Sequence, residues 1–378
     1  MNGTKGLFLV KKYNPVISLN YKEKQPQNLD STATHTVHCA EIFGRPHDMV
    51  DTGYKKGILD LVGDTPLLKL DRIANNAQAD IFAKLEFMNP MGSVKDRIAK
   101  YMVEKAEREG KIKPGDTIID NSSGNTALGL AMVCALRGYH LKVVVRDSLS
   151  PEKIKFLRAL NVEIIKVDST LPPESPMSYN NITPALAARS QDTYYLDQHN
   201  NPDNNEAHYM TTGPEIWEQM EGNIDCFVAG IGTGGTICGA ARFLKEKDPR
   251  IKVIGVDPLG SIFFDYFHHR KLTEPSRYLL EGLGDEFLIG CVDFDLLDDV
   301  YRITDSQAFY MTRKLATTEG VLAGGSSGAA VWACLQLAKK IDKSARIITI
   351  LPDSANRYLS TIYNDDWLQK NGIGNPVD

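Results

Sequence analysis

From residue 58 onward, short apolar runs alternate with amphipathic helical stretches, and that alternation admits few folds. Residues 81–85, 117–119, 141–145, 162–167, 194–196, 253–256 and 345–351 read as strands. Residues 96–109, 124–136, 306–319 and 328–341 read as helices, the first with Ile98, Tyr101, Met102 and Ala106 on one face. Another helix opens at Ser150-Pro151-Glu152, as N-cap, first-position proline and first-turn acid. Parallel strands need crossover connections, and crossover helices cover both faces of the sheet they serve. The expected class is therefore α/β with mostly parallel sheets.

With 378 residues the chain is long enough for two domains. A net charge of -5 provides no basic field for nucleic acid, so none is expected as a partner. No apolar run reaches membrane-spanning length, and the stretch 7–10 is too short for a signal peptide. A cytoplasmic protein without a membrane partner is the expectation. The six cysteines show no Cys-x-x-Cys spacing, which suggests reduced, buried thiols and no metal site. Residues 1–53 are polar, lack a sustained period, and read as an N-terminal extension.

Five segments carry chemistry. "GIGTGGT" (230–236) follows an apolar run and precedes a helical pattern, the arrangement of a phosphate cradle. Its Gly230-x-Gly232-x-x-Gly235 spacing also fits a dinucleotide fingerprint, and Asp257 ends the next apolar run where a ribose-binding acid would sit. An NAD-dependent dehydrogenase is one reading, although the motif falls past mid-chain. "NPMGSVKDR" (89–97) puts Lys95 at a helix start, where the positive field of the helix end favours a neutral amine. Such an amine suits Schiff-base chemistry, and a solvated surface lysine is the plainer reading. "DNSSGNTALG" (120–129) gathers Ser122, Ser123, Asn125 and Thr126 at one helix start, either an anion site or a well-capped helix. "AGGSSGA" (323–329) is a tight turn with an N-cap serine, and "LPDS" (351–354) closes a strand at the sheet edge where ligands collect.

Taken in order and at these separations, the four glycine- and serine-rich segments resemble the cystathionine β-synthase and cysteine synthase family. These are pyridoxal-phosphate enzymes with the tryptophan-synthase β-type fold. The resemblance spans about residues 56–372. "KPGDTIID" (113–120), "LDQHNNPDNNEAHYMTT" (196–212), "VDPLGSI" (256–262), "EGLGDEF" (281–287) and the tail through Trp367 look most like the cystathionine β-synthase core.

The resemblance implies a fold-type II enzyme with two three-layer α/β/α domains. Residues 54–92 with 202–378 would form the large cofactor-binding domain, and 93–201 a smaller mobile substrate domain. It implies that Lys95 holds pyridoxal 5'-phosphate covalently and then removes the substrate's Cα proton. Gly232, Thr233, Gly234, Gly235 and Thr236 would hold the phosphate, Asn125 the ring's 3'-oxygen, and Ser326 the pyridine nitrogen. Ser122, Ser123, Gly124, Thr126 and Gln198 would hold the carboxylate of an amino-acid substrate, with Glu281 and Gly282 also at the substrate. The implied reaction is β-replacement. Serine or an O-activated serine forms an aminoacrylate, and a thiol, best homocysteine, adds to give cystathionine. Sulfide or an amino-acid amine are alternative acceptors, and the family implies a homodimer.

Ser122 replaces the family's usual threonine but keeps its hydroxyl, and three further positions depart from the family pattern: Ala127 where glycine is usual, and His199 and Asp285 where tyrosine is frequent. They put the acceptor's identity in question and keep a catalytically silent sensor among the readings. Cys39 with Gly44-Arg45-Pro46 resembles the haem-bearing extension of animal cystathionine β-synthases. No histidine stands at the family's later position and only His47 is close, so the haem site is incomplete and haem is not expected.

Overall fold

Among the described residues, ten strands and eleven α-helices follow one another in a mostly alternating βα order. The computed structural model describes residues 54–374 apart from 123, 148, 150, 173 and 174. The strands are β1 (Leu67–Lys69), β2 (Asp80–Leu85), β3 (Thr117–Asn121), β4 (His140–Arg146), β5 (Glu163–Val167), β6 (Thr193–Tyr195), β7 (Cys226–Gly230), β8 (Lys252–Pro258), β9 (Asp299–Ile303) and β10 (Arg346–Leu351). The helices are α1 (Lys95–Arg108), α2 (Asn125–Arg137), α3 (Pro151–Ala159), α4 (Ile182–Ala187), α5 (Asp203–Met210), α6 (Thr212–Gln219), α7 (Gly235–Lys247), α8 (Phe263–His269), α9 (Asp305–Glu319), α10 (Gly325–Ala338) and α11 (Asp365–Lys370).

They make a six-stranded sheet in the order β1-β2-β10-β7-β8-β9 and a four-stranded sheet in the order β5-β4-β3-β6. Only the β1–β2 pair is antiparallel.

Each sheet is covered on both faces, and the period of two along its strands shows how. Cys226 and Val228 of β7 pack with Phe309, Leu315, Val331 and Cys334 of α9 and α10. Phe227 and Ala229, between them, pack with Ile216 of α6 and Ile237, Ala240 and Leu244 of α7. In the smaller sheet Ile118 and Val143 face α1 and α2, while Ile119 and Val144 face Ile182 and Ala187 of α4. Burial on both faces is why these strands read as continuous apolar runs rather than as alternations.

The sequence reading misses β1, β9 and the helices α4, α5, α6, α8 and α11. Most are short, and β9 is an edge strand with partly exposed positions, so each shows too few periods to register. It also starts α10 at 328, three residues late. The N-cap is Gly324 in extended conformation, which places Ser326 and Ser327 inside the first turn. Ser150, read as the N-cap of α3, lies outside the described residues.

A buried charge network holds α1 to the larger sheet. Arg97 Nε donates to Glu86 Oε2 (2.7 Å), and its two terminal nitrogens donate to Glu215 (2.6 and 2.7 Å). Lys84 adds a 2.7 Å pair to Glu215 and donates to the Thr65 carbonyl. Lys84, Glu86 and Arg97 are all buried. Two cations and two carboxylates balance one another, and breaking such a set leaves a buried charge alone. Arg97→Ala is expected to lower stability by about 3–5 kcal/mol. Arg97→Lys should fall between, since an ammonium cannot reproduce the guanidinium fork. Urea-unfolding midpoints of cofactor-free protein measure both, and an unmoved midpoint for Arg97→Ala contradicts the account.

Candidate active site

A cavity of about 250 Å³ opens where the carboxyl ends of β3, β7 and β10 approach one another, with both sheets contributing walls. Lys95 reaches it because the loop ahead of α1 is sewn to the end of β10. Val94 N donates to the Pro352 carbonyl (2.8 Å), and Ser93 bridges to Asp353. Ser93 Oγ also accepts from Lys95 N (3.2 Å). Burial pushes the Lys95 ammonium below its ordinary range, and the negative charge of Asp353 opposes the shift. The lysine is therefore not solvated on the surface, and burial acts in the same direction as the field of the helix end.

Asp353 is almost fully buried, and burial pushes its carboxyl up. Its Oδ2 accepts from Asn125 Nδ2 (2.7 Å) and from Tyr358 Oη (2.7 Å). Asn125 Oδ1 and Asp353 Oδ1 are buried without a hydrogen-bond partner among the described residues. Such orphaned acceptors beside a cavity are what an absent ligand leaves.

The glycine segment forms the opposite wall. Gly234 has φ +87°, and a Cβ there would come within 2.6 Å of the Cys291 carbonyl, so only glycine fits. It is the N-cap of α7 and supplies no side-chain cap, which leaves the first-turn N–H groups of a 13-residue helix for an anion. Thr233 Oγ1 accepts from Asn204 (3.1 Å), and Thr236 Oγ1 contacts His208 Nε2 (3.1 Å). His208 is fully enclosed, and burial drives its pKa well down, so a neutral imidazole supports Thr236. Gly235 packs on Asn204 and does not line the cavity, whereas Gly232, Thr233, Gly234 and Thr236 do.

The β3–α2 loop closes a third side. Ser122 Oγ accepts from Ala127 N (3.2 Å) and acts as a cap. Thr126 Oγ1 donates to Gln198 Oε1 (2.6 Å), and Gln198 Nε2 donates to the Asn121 carbonyl (3.3 Å). Gly124, Ser326, Glu281 and Gly282 also line the cavity. Ser123 lies outside the described residues, as do Cys39 and His47. Of the departing positions, Ala127 is fully buried and His199 lines the cavity. Asp285 does not, its Oδ1 accepting from Glu286 N (2.8 Å) while burial raises its carboxyl to about 6.

The sequence reading gives no role to Asp353, His208, Asn204, Tyr358 or Lys153. Asp353 enters that reading only as part of "LPDS", at the sheet edge where ligands collect. The others stand on helices or turns whose place beside the cavity only the fold creates. Asp257, the ribose-binding acid of the dehydrogenase reading, is fully buried and accepts from Phe264 N (2.9 Å).

Residues 58–353 match the family described as pyridoxal-phosphate dependent enzyme. The chain is 43% identical over 322 residues to a cystathionine beta-synthase of Apis mellifera, covering 85% of this chain and 64% of that one. It is 41% identical to the Oryctolagus cuniculus cystathionine beta-synthase, covering 84% and 58%. The match thus spans less than two thirds of the length of those relatives. A cysteine synthase of Staphylococcus aureus (strain Mu50 / ATCC 700699) is 41% identical, covering 82% of this chain and 97% of that one. The crystal structure of a hydrogen sulfide-producing enzyme from Fusobacterium nucleatum superposes with TM-score 0.74 at 36% identity, covering 81% and 100%.

The Lys95 amine has a measurable consequence for stability. Its folded pKa lies below the unfolded value, so the unfolded chain binds more protons between the two. Stability lost to Lys95 is then fully present below that window and disappears as pH rises toward the unfolded value. Cofactor-free Lys95→Met should melt higher than the parent at neutral pH, with the gap narrowing as pH is raised. A gap that widens with pH contradicts the burial argument.

Proposed function

Since the chain belongs to the pyridoxal-phosphate dependent enzyme family, we propose that its cavity performs β-replacement on serine or an O-activated serine. The observation that carries this is Lys95: one half-buried amine whose ammonium form burial disfavours, facing an uncapped helix N-terminus across a small cavity. The residues present fit the family's cofactor. The first turn of α7 with Thr233 and Thr236 suits a monophosphate, and Asn125 has an unpartnered oxygen for the ring's polar edge. Ser326, in the first turn of α10, offers the pyridine nitrogen a neutral hydroxyl. Bound there, the cofactor supplies an electron sink for the bond-breaking at Cα.

The chain's own groups do the rest. Lys95 takes the Cα proton, since burial lowers the amine's pKa from its ordinary value and so brings it closer to that of a working base. A hydroxyl at Ser326 does not hold a ring proton as a carboxylate does, which limits charge withdrawal and favours loss of the β-substituent. The N–H groups of the β3–α2 loop receive the substrate carboxylate, with Thr126 and Gln198 bracing each other beside it. We take residues 93–201 as a smaller unit that closes on 54–92 and 202–378 and excludes water while the β-position is reactive. The acceptor is a thiol, homocysteine, giving cystathionine. A sulfide acceptor is the second reading, favoured by the near-complete coverage of the Staphylococcus aureus relative. By analogy with the family, the enzyme works as a homodimer.

Protein reconstituted with pyridoxal phosphate should show a visible absorption band that borohydride abolishes. Lys95→Ala should lack the band and lose at least about 10³-fold in kcat, because the residue serves as both anchor and base. Turnover by Lys95→Ala near the parent rate would refute the assignment. Parallel assays with homocysteine and sulfide identify the acceptor.

A further inference from the structure

At the solvent-facing end of the cavity stands one ion pair. Lys153 Nζ lies 2.6 Å from Glu281 Oε2, and both residues line the cavity. Lys153 belongs to α3, beside the four-stranded sheet; Glu281 belongs to the segment between α8 and β9 of the six-stranded sheet. Their side chains keep 24% and 52% of their accessible surface, whereas Asp353 deeper in is almost fully buried. The other cation of the wall, Arg357, is directed away, donating to the carbonyls of Met91 (2.6 Å) and Gly92 (3.1 Å). Among the described residues the mouth therefore presents a positive and a negative group in contact.

That is the complement of an α-amino acid's own head group. An ion pair this exposed is weak, so exchanging it for a second pair of opposite charges costs little. A carboxylate beside Lys153 and an ammonium beside Glu281 would each gain a charge-assisted hydrogen bond. Sulfide has neither group and gains nothing. Resting on the β-replacement reading, we propose that Lys153 and Glu281 form the head-group site of the second substrate. Lys153 takes its α-carboxylate and Glu281 its α-ammonium, which selects an α-amino acid acceptor over inorganic sulfide.

The test uses the full chain loaded with pyridoxal phosphate and three variants: Lys153→Gln, Glu281→Gln, and the exchange Lys153→Glu with Glu281→Lys. O-acetylserine is the donor, and homocysteine and sulfide are the acceptors. Acetate release from O-acetylserine without acceptor reports the donor half-reaction alone. The ratio of kcat/KM for homocysteine to that for sulfide should fall at least about tenfold in each single variant, the loss expected for one charge-assisted hydrogen bond. The loss should lie mainly in the homocysteine KM. The exchanged pair should not restore the ratio, because it offers each charge in the wrong place. Restoration by the exchange would make the pair a latch between the two sheets and overturn the proposal. So would an unmoved ratio, or a parent enzyme that accepts sulfide but not homocysteine. No acetate release by the parent would instead overturn the β-replacement reading itself.

Discussion

The Arg97 guanidinium, shut away from water between Glu86 and Glu215, is the contact on which the rest of the site rests. It sits two residues beyond Lys95 on α1 and reaches the segment after β2 on one side and α6 on the other. Its geometry is fixed because a fork of donors meets two carboxylates, and Lys84 balances the remaining charge. Buried ion pairs gain little net stability over an apolar filling, since desolvation offsets most of the attraction. What this set provides is direction: α1 has one orientation that keeps the charges paired, and that orientation delivers Lys95 to the cavity.

Position alone would not make Lys95 reactive. The sheet edges must also remove water from around it, and here the two-sheet construction matters. Parallel strands deliver their following loops to one edge, so β7, β10 and β3 all end at the same place. The loops are short and glycine-rich where backbone approaches backbone, as at Gly234 against Cys291. A supporting layer stands behind them, His208 under Thr236 and Asn204 under Thr233, while Asn125 and Tyr358 hold Asp353 within the wall itself. These groups orient the wall without forming most of its surface, which is how a site stays preorganised without a ligand.

The motifs were legible because each needs a rare residue type at a fixed place. Glycine at 234 is required by a positive φ, and the serine–asparagine loop by the unfilled N–H groups of α2. The supporting layer was not legible. His208 lies on a short helix with no marked apolar face, and its sequence separation from Thr236 says nothing about contact. The same holds for Lys153 and Glu281, which are 128 residues apart and are joined only because two sheets face each other.

The sequence by itself determined the α/β alternation, the phosphate-binding turn and the lysine at a helix start. Those depend on local periodicity and backbone chemistry, which a short window contains. Tertiary structure decided which of these segments share a cavity, that Asp257 is a buried strand residue with its own backbone partner, and that Lys95 lines the cavity half-buried rather than standing on the open surface. Burial and charge pairing belong to three-dimensional neighbourhoods, so the chemistry of a lysine is set by what the folded chain puts around it.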